Sequence, residues 1–264
     1  MIKMKKEVSL VKKVDSLLRR IGCPRFLHHF GPKRYRFVQH ATALLLKETL
    51  KCSFMRIAKL FALLEIDTPT YSALCKSRKR IPAWIWNEML KITAGTSSGM
   101  VAIDGTGFSR TNPSFHYLNR IDGKTPKRYT KLSALFDLIK KKFTALRIRI
   151  KPRHDILDAK PLVQRSKVRK LFGDSAYDAE SLHEYCAWNR IQTIIKPKRN
   201  ARKGFFRKKQ MRNYSDKEYH QRSLIESGFG SLKRKYGGYV LAKKDKALKA
   251  EIYCKAIAHN LNLS

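Results

Sequence analysis

Apolar residues recur every three to four positions through the first ninety-odd residues of the chain, then switch to strict alternation. The pattern predicts a helical part followed by a part built on strands. From Ser53 the residues Phe54, Ile57, Ala58, Phe61 and Leu64 keep helical spacing, with Ser53 placed as an N-cap. Thr68-Pro69 reads as a cap residue with proline at the first helical position, opening a second helix from Thr70 to about Arg80. A third apolar helix runs over Ile81–Ile92 and carries Trp84 and Trp86, expected in the core or between domains. The small, uncharged stretch from Thr93 to Gly99 is the best linker in the sequence, dividing a helical region, 1–98, from a second domain, 99–264.

After the linker the period becomes two. Met100–Ile103 predicts a short strand ending in Asp104, and 129–138 and 142–150 predict two strands joined by a turn at Ile139-Lys140-Lys141. In the second of these Thr144, Leu146, Ile148 and Ile150 alternate with Arg147, Arg149 and Lys151, which gives the strand a basic outer face. A short helix is expected after Asp158, a strand over 171–173 running into Asp174, a helix from Ala179 to about Trp188 and a short strand from Thr193 to Lys196. Two helices close the chain, Ser215 to about Tyr236 and Lys246 to about Asn262. Three strands, then alternating helices and strands, with aspartates at the ends of the first and fourth strands, form a ribonuclease H-like α/β order. In such a mixed sheet the first and fourth strands lie side by side in parallel and bring both aspartates to one edge.

Taken alone, Asp104-Gly105 could be a turn and Asp174 a helix cap. A third element adds weight. On one helix, Tyr219, Arg222, Glu226 and Lys233 fall within an arc of roughly 60° at about 100° per residue. A neighbouring stripe of Ile225, Phe229, Leu232 and Tyr236 would pack on the sheet. A solvated i,i+4 ion pair accounts for Arg222 and Glu226 but not for the rest of the polar stripe. Gly228 and Gly230 weaken this helix and suggest close approach of something, substrate backbone being one candidate. Three carboxylates suit two divalent ions, Mg²⁺ or Mn²⁺, which can activate a nucleophile and stabilise a leaving oxygen at a phosphodiester.

Charge narrows the partner. The 264 residues hold 58 Lys and Arg against 20 Asp and Glu, a net +38 at pH 7. Such a field is most easily tolerated beside a polyanion, and nucleic acid fits better than a membrane surface because no basic amphipathic helix stands apart from the folded pattern. No apolar run approaches the ~20 residues that span a bilayer. The five cysteines are scattered without a C-x-x-C pair, and no secretory signal opens the chain, so a soluble cytoplasmic protein on nucleoid DNA is expected. Between Lys196 and Arg212 stand nine cations and no acid: Lys196, Lys198, Arg199, Arg202, Lys203, Arg207, Lys208, Lys209 and Arg212, with Phe205 and Phe206 among them. These residues are expected to track phosphates, along with the outer face of 140–153. The helix-turn-helix-like pair ending in Lys76, Arg78, Lys79 and Arg80 is expected to read DNA sequence.

The spacing Tyr219-x₂-Arg222-x₃-Glu226-x₆-Lys233 resembles the signature around the catalytic glutamate of bacterial and archaeal insertion-sequence transposases of the DDE class. Asp104-Gly-Thr-Gly-Phe108 and Gly173-Asp-Ser-Ala-Tyr-Asp178 are similar to their first and second aspartate motifs. His154-Asp155 and the basic stretch from Ile195 to Arg202 match further segments. The resemblance covers about 100–262, and more weakly the helical region from 53. It implies a ribonuclease H-like catalytic domain, Asp104, Asp174 and Glu226 on two Mg²⁺ (or Mn²⁺) ions, and Tyr219, Arg222 and Lys233 in the catalytic site. It also implies cleavage at element ends and transfer of 3′-hydroxyl ends into target DNA, with a homodimer or larger assembly on terminal repeats. The interval between Asp174 and Glu226 is too short for a large β insertion domain. The alternatives are another ribonuclease H-like metallonuclease, which would not need the Arg222 and Lys233 stripe, or a non-catalytic DNA-binding descendant of a transposase.

Overall fold

The computed structural model describes residues 2–28, 33–110, 129–151, 153–199, 203–212 and 214–262. Five helices come first: α1 (Ile2–Ile21), α2 (Phe37–Thr49), α3 (Phe54–Leu63), α4 (Tyr71–Arg80) and α5 (Ala83–Ala94). Strands β1 (Met100–Ser109), β2 (Tyr129–Asp137) and β3 (Lys142–Arg149) follow, then α6 (Ile156–Val163), β4 (Lys170–Gly173), α7 (Glu180–Trp188) and β5 (Gln192–Ile195). Among the described residues there follow α8 (Phe205–Met211), α9 (Asp216–Tyr219), α10 (Ser223–Tyr236) and α11 (Asp245–Asn262). The chain divides into two compact units, one of residues 1–93, 235–237 and 242–262, the other mainly of 94–234 and 238–241.

In the helical unit the polar caps act much as their positions in the sequence suggest. Ser53 Oγ accepts from Arg56 N at 3.2 Å and starts α3. The cap of α4 is Thr70, whose hydroxyl accepts from Ala73 N, so Thr68-Pro69 lies before the helix and does not open it. Trp86 is buried as expected, whereas Trp84 is exposed. The larger difference is α11. Counted with the second domain from sequence, it packs on α2 and α4. The reason is chemical: α11 carries two buried charges, Glu251 and Lys255, and their partners lie in this unit. Glu251 pairs with Arg78 at 3.4 Å and accepts from Ala242 N at 3.1 Å, while Lys255 Nζ donates to Tyr236 O at 2.7 Å. Buried charges are tolerated only when paired in this way.

The second unit is built on one mixed sheet in the order β3-β2-β1-β4-β5. β1 runs antiparallel to β2 and parallel to β4, so the first and fourth strands are neighbours as the element order predicts. Val101, Ile103 and Leu135 of the sheet bury against Ala159, Leu162 and Val163 of α6 and Leu182 and Cys186 of α7. On α10, Phe229 stacks on Phe143 with ring centroids 5.7 Å apart. A Cβ on Gly228 would lie 2.7 Å from the Phe136 ring, so a core aromatic, not substrate, is what approaches this glycine. Gly230 faces open space.

Several local expectations change. β1 continues through Gly105 and Gly107 to Ser109, paired with β2 all the way, so Asp104 sits within the strand opposite Ala134 and not at its end. The helix expected after Asp158 begins before it: Asp158 lies in the first turn of α6 and is fully buried. There it pairs with Arg147 (Nε to Oδ1, 2.8 Å) and accepts from Arg149 Nε (2.7 Å) and Ser133 Oγ (2.9 Å). Those two arginines therefore serve a buried carboxylate, and the basic outer face read on this strand loses them as phosphate ligands. The helix expected to run unbroken from Ser215 is split into α9, a 3₁₀ turn over His220–Arg222, and α10. Among the described residues no helix is long and apolar enough to cross a membrane.

Candidate active site

Asp104, mid-strand in β1, accepts from its neighbour Gly105 N at 2.7 Å. Asp174 follows β4 directly and caps the 3₁₀ turn Ser175–Tyr177 by accepting from Ala176 N at 2.9 Å, so cap and candidate ligand are one residue. Glu226 lies in the first turn of α10 and is largely exposed. Arg222 joins two of the three: one terminal nitrogen lies 3.4 Å from Asp104 Oδ2, the other 2.5 Å from Glu226 Oε1. Its guanidinium also lies over the Tyr219 ring, 5.9 Å from the centroid. The Lys233 ammonium lies over the Phe108 ring at 5.7 Å, and burial lowers its pKa.

The electrostatics follow from this packing. Burial pushes the Asp104 carboxyl up to about 6; Gly105 N–H and Arg222 hold it down, and Asp174 and Glu226 push it up again. Asp104 therefore feels both other acids at the edge where β1 and β4 run parallel. A carboxyl so placed ionises readily only when a cation stands beside it. Oxygen-only donors of this kind fit Mg²⁺ or Mn²⁺ in their chemistry. Among the described residues, however, no group of three or more His, Cys, Asp or Glu side chains is close enough together to hold a metal ion. The guanidinium of Arg222, not a pre-formed ligand cage, neutralises Asp104 and Glu226 here.

The basic residues divide into two kinds. Lys76, Lys79 and Arg80 of α4 are exposed, whereas Arg78 is turned inward to Glu251 and lies 4.9 Å over the Phe54 ring. Lys196, Lys198, Arg199, Lys203, Lys208, Lys209 and Arg212 are exposed; Arg202 lies outside the described residues. Arg207 is held by buried Asp178, Nε to Oδ1 at 2.7 Å. Asp178 also accepts from Lys198 N (2.8 Å) and lies 3.0 Å from His183 Nε2, and Glu180 accepts from Phe206 N and Arg207 N at the start of α8. Sequence reasoning missed this clasp; the second aspartate of Asp174-Ser-Ala-Tyr-Asp178 was its only signal. Asp155 is a further residue of the strand edge: it pairs with Lys131 at 2.7 Å, and a Cβ on Gly105 would lie 2.7 Å from its Oδ1. A side chain at 105 would have to displace that carboxylate from its place beside Lys131.

Residues 96–261 match the family described as Transposase DDE domain. The chain belongs to that family. Among solved structures, the DDE transposase domain and its helical unit are similar to a piggyBac transposase synaptic complex with hairpin DNA. There the TM-score is 0.51 at 11% identity, over 96% of this chain and 72% of that one. A Mos1 transposase paired-end complex with left transposon end aligns over 89% of this chain and 78% of that one at 13% identity, with a TM-score of 0.25, too low to carry an argument. Comparison with curated proteins gives no match. At these identities the first likeness speaks for the fold, a ribonuclease H-like mixed sheet, and the family match for the class of transposase.

Proposed function

We propose that this DDE transposase cuts DNA at the ends of its element and joins the 3′-hydroxyl ends to target DNA, with Asp104, Asp174 and Glu226 as ligands of two Mg²⁺ ions, Mn²⁺ substituting. The observation that carries the reading is the convergence of three acids from β1, the end of β4 and α10 on one sheet edge, where burial and then the charges of Asp174 and Glu226 raise the pKa of Asp104. Bound there, the metals would supply charge stabilisation on both sides of a scissile phosphodiester. The chain's own residues do the rest. Arg222 orients Asp104 and Glu226 and is itself set by Tyr219. Lys233 is assigned to a phosphate flanking the scissile bond, where a preorganised cation lowers the cost of aligning the DNA end. The exposed cations of 196–212 track the backbone, and Lys76, Lys79 and Arg80 present the helical unit to terminal repeats. Synapsis of two ends calls for a homodimer or larger assembly on DNA in the cytoplasm, at the nucleoid; the relative with the higher TM-score was itself solved as a synaptic complex with DNA.

The test is cleavage of DNA carrying the element's own ends, with and without Mg²⁺. Asp104→Ala, Asp174→Ala and Glu226→Ala should each abolish metal-dependent cutting and leave duplex binding within about threefold. A variant that still cuts with Mg²⁺ loses its place in the triad. Cleavage without strand-transfer product would favour a plain metallonuclease.

A further inference from the structure

Away from the sheet edge, the helical unit contains a small cavity of about 150 Å³ among Leu27 and His28 beyond α1, Tyr35 and His40 around the start of α2, and the α4 face Ser72-Ala73-Lys76-Ser77-Arg80. We propose that this cavity is a phosphate oxyanion site, filled by a backbone phosphate of bound duplex DNA.

The lining chemistry is one-sided. It offers an ammonium, a guanidinium, two imidazoles, a phenol and two serine hydroxyls, and no carboxylate. Ser77 already donates to Leu74 O and Ser72 Oγ lies 3.4 Å from Thr70 Oγ1, which leaves the Tyr35 hydroxyl with the cations as donors. A phosphodiester is the complement, since its two charged oxygens only accept. The second observation is His40. It is 6% exposed, and its Nδ1 has no hydrogen-bond partner; the same is true of buried His28 Nδ1. Buried polar atoms are rarely left so, because each gives up water without replacement. Two orphaned imidazole nitrogens, both on residues that line one cavity, mark where an acceptor belongs. The local field agrees: burial first, then the positive groups His28 and Arg80, push His40 down to about 4, as expected of a cationic recess without its counter-ion.

Geometry also fits a backbone contact. Ser72, Lys76 and Arg80 stand four residues apart on one stripe of α4 and are exposed, so a phosphate entering beside them comes from solvent. Contacts to phosphate fix register and carry no base information. The site would thus seat α4 on the duplex and leave Lys79, on another face of the helix, for other contacts.

The proposal rests on the DNA-binding part of the proposed function and is tested without cleavage. On the full chain, inorganic phosphate is titrated against chloride of equal ionic strength, and a blunt duplex carrying the element ends is titrated by anisotropy. Wild type, His40→Leu, His40→Gln and Arg80→Gln are compared. Phosphate should raise the melting temperature of wild type but not of His40→Leu or Arg80→Gln. Both variants should bind duplex about tenfold more weakly, and His40→Gln, which keeps a donor, should recover most of that loss. Arg80 is exposed, so its variant tests the site even if His40→Leu fails to fold. Loss of the phosphate effect with unchanged duplex affinity would overturn DNA as the source and assign the cavity to free phosphate. No difference among the four proteins in either titration would overturn the site itself. Failure of wild type to bind duplex at all would strike the proposed function, while the phosphate arm still decides the cavity.

Discussion

Arg222 touches Asp104, Glu226 and the Tyr219 ring at once, so one side chain holds together groups that are far apart in the sequence. Spacing alone leaves it two roles, a ligand of DNA or a partner of Glu226; its position between two carboxylates gives it a third. Burial works against its charge, but Glu226, Tyr219 and Asp104 more than offset that and raise its pKa. It is therefore a resident cation that an incoming divalent ion must oppose. Like charges a few ångströms apart repel by an amount on the order of 1–4 kcal/mol near a protein surface. Arg222→Gln should thus bind Mn²⁺ about tenfold more tightly in the DNA-free protein. Lys233→Ala, whose ammonium lies over Phe108, should leave that affinity unchanged. Calorimetric titration of both variants separates the outcomes: weaker binding by Arg222→Gln would mean that the arginine serves only to orient Glu226. A large loss in Lys233→Ala would remove it from phosphate and place it at the metals.

Among the elements, α8 shows what a residue pattern hides. The run Phe205-Phe-Arg-Lys-Lys-Gln-Met211 has no apolar period, and its start is capped from a distance by Glu180, so nothing local announces a helix. The strands were legible because each is a largely buried apolar run, and parallel β1 and β4 followed from the order of elements. The length of β1 was not, because Asp-Gly-Thr-Gly reads as a turn until the partner strand is known to pair with it through Ser109. The clasp that holds α8 has a pH signature. Burial alone would raise Asp178, but Lys198 N–H, Arg207 and His183 outweigh it and hold the carboxyl below its usual range. A depressed acid stabilises the fold above the unfolded value near 4, and that contribution disappears as pH falls through the lower folded value. Asp178→Ala should cost about 3 kcal/mol at pH 7, as expected for stranding the half-buried Arg207, and the gap to wild type should narrow below pH about 4. Urea unfolding at pH 7, 5 and 3 measures it; a gap that stays constant with pH would show that the ion pair is not its source.

For the whole molecule, the excess of cations predicts polyanion binding without saying which of them take part. Burial sorts them: Arg78, Arg147, Arg149 and Arg207 neutralise carboxylates of the protein itself, whereas Lys208 and Lys209 face solvent. Replacing Lys208 and Lys209 together with Gln should flatten the log–log salt dependence of duplex binding by up to about two units. Arg78→Gln should leave the slope alone. Equal slopes for all three proteins would show that α8 does not track the backbone. At this scale the sequence foretold a helical unit and a sheet unit but not which helices α11 packs on, because periodicity says that a helix has a buried side and not what lies against it. Only the partners of Glu251 and Lys255 decide that.

The turn from Asp174 to Asp178 carries a candidate ligand at one end and the anchor of the basic segment at the other. That arrangement sets where the chain tolerates changes of length. Extra residues between Arg199 and Lys203 would leave the clasp in place, because Asp178 and Glu180 still fix Lys198 and the start of α8. One residue added between Asp174 and Asp178 would turn the anchor away from the carboxylate edge and carry the whole basic segment with it. Related chains should therefore vary freely in length around the first place and keep the second constant.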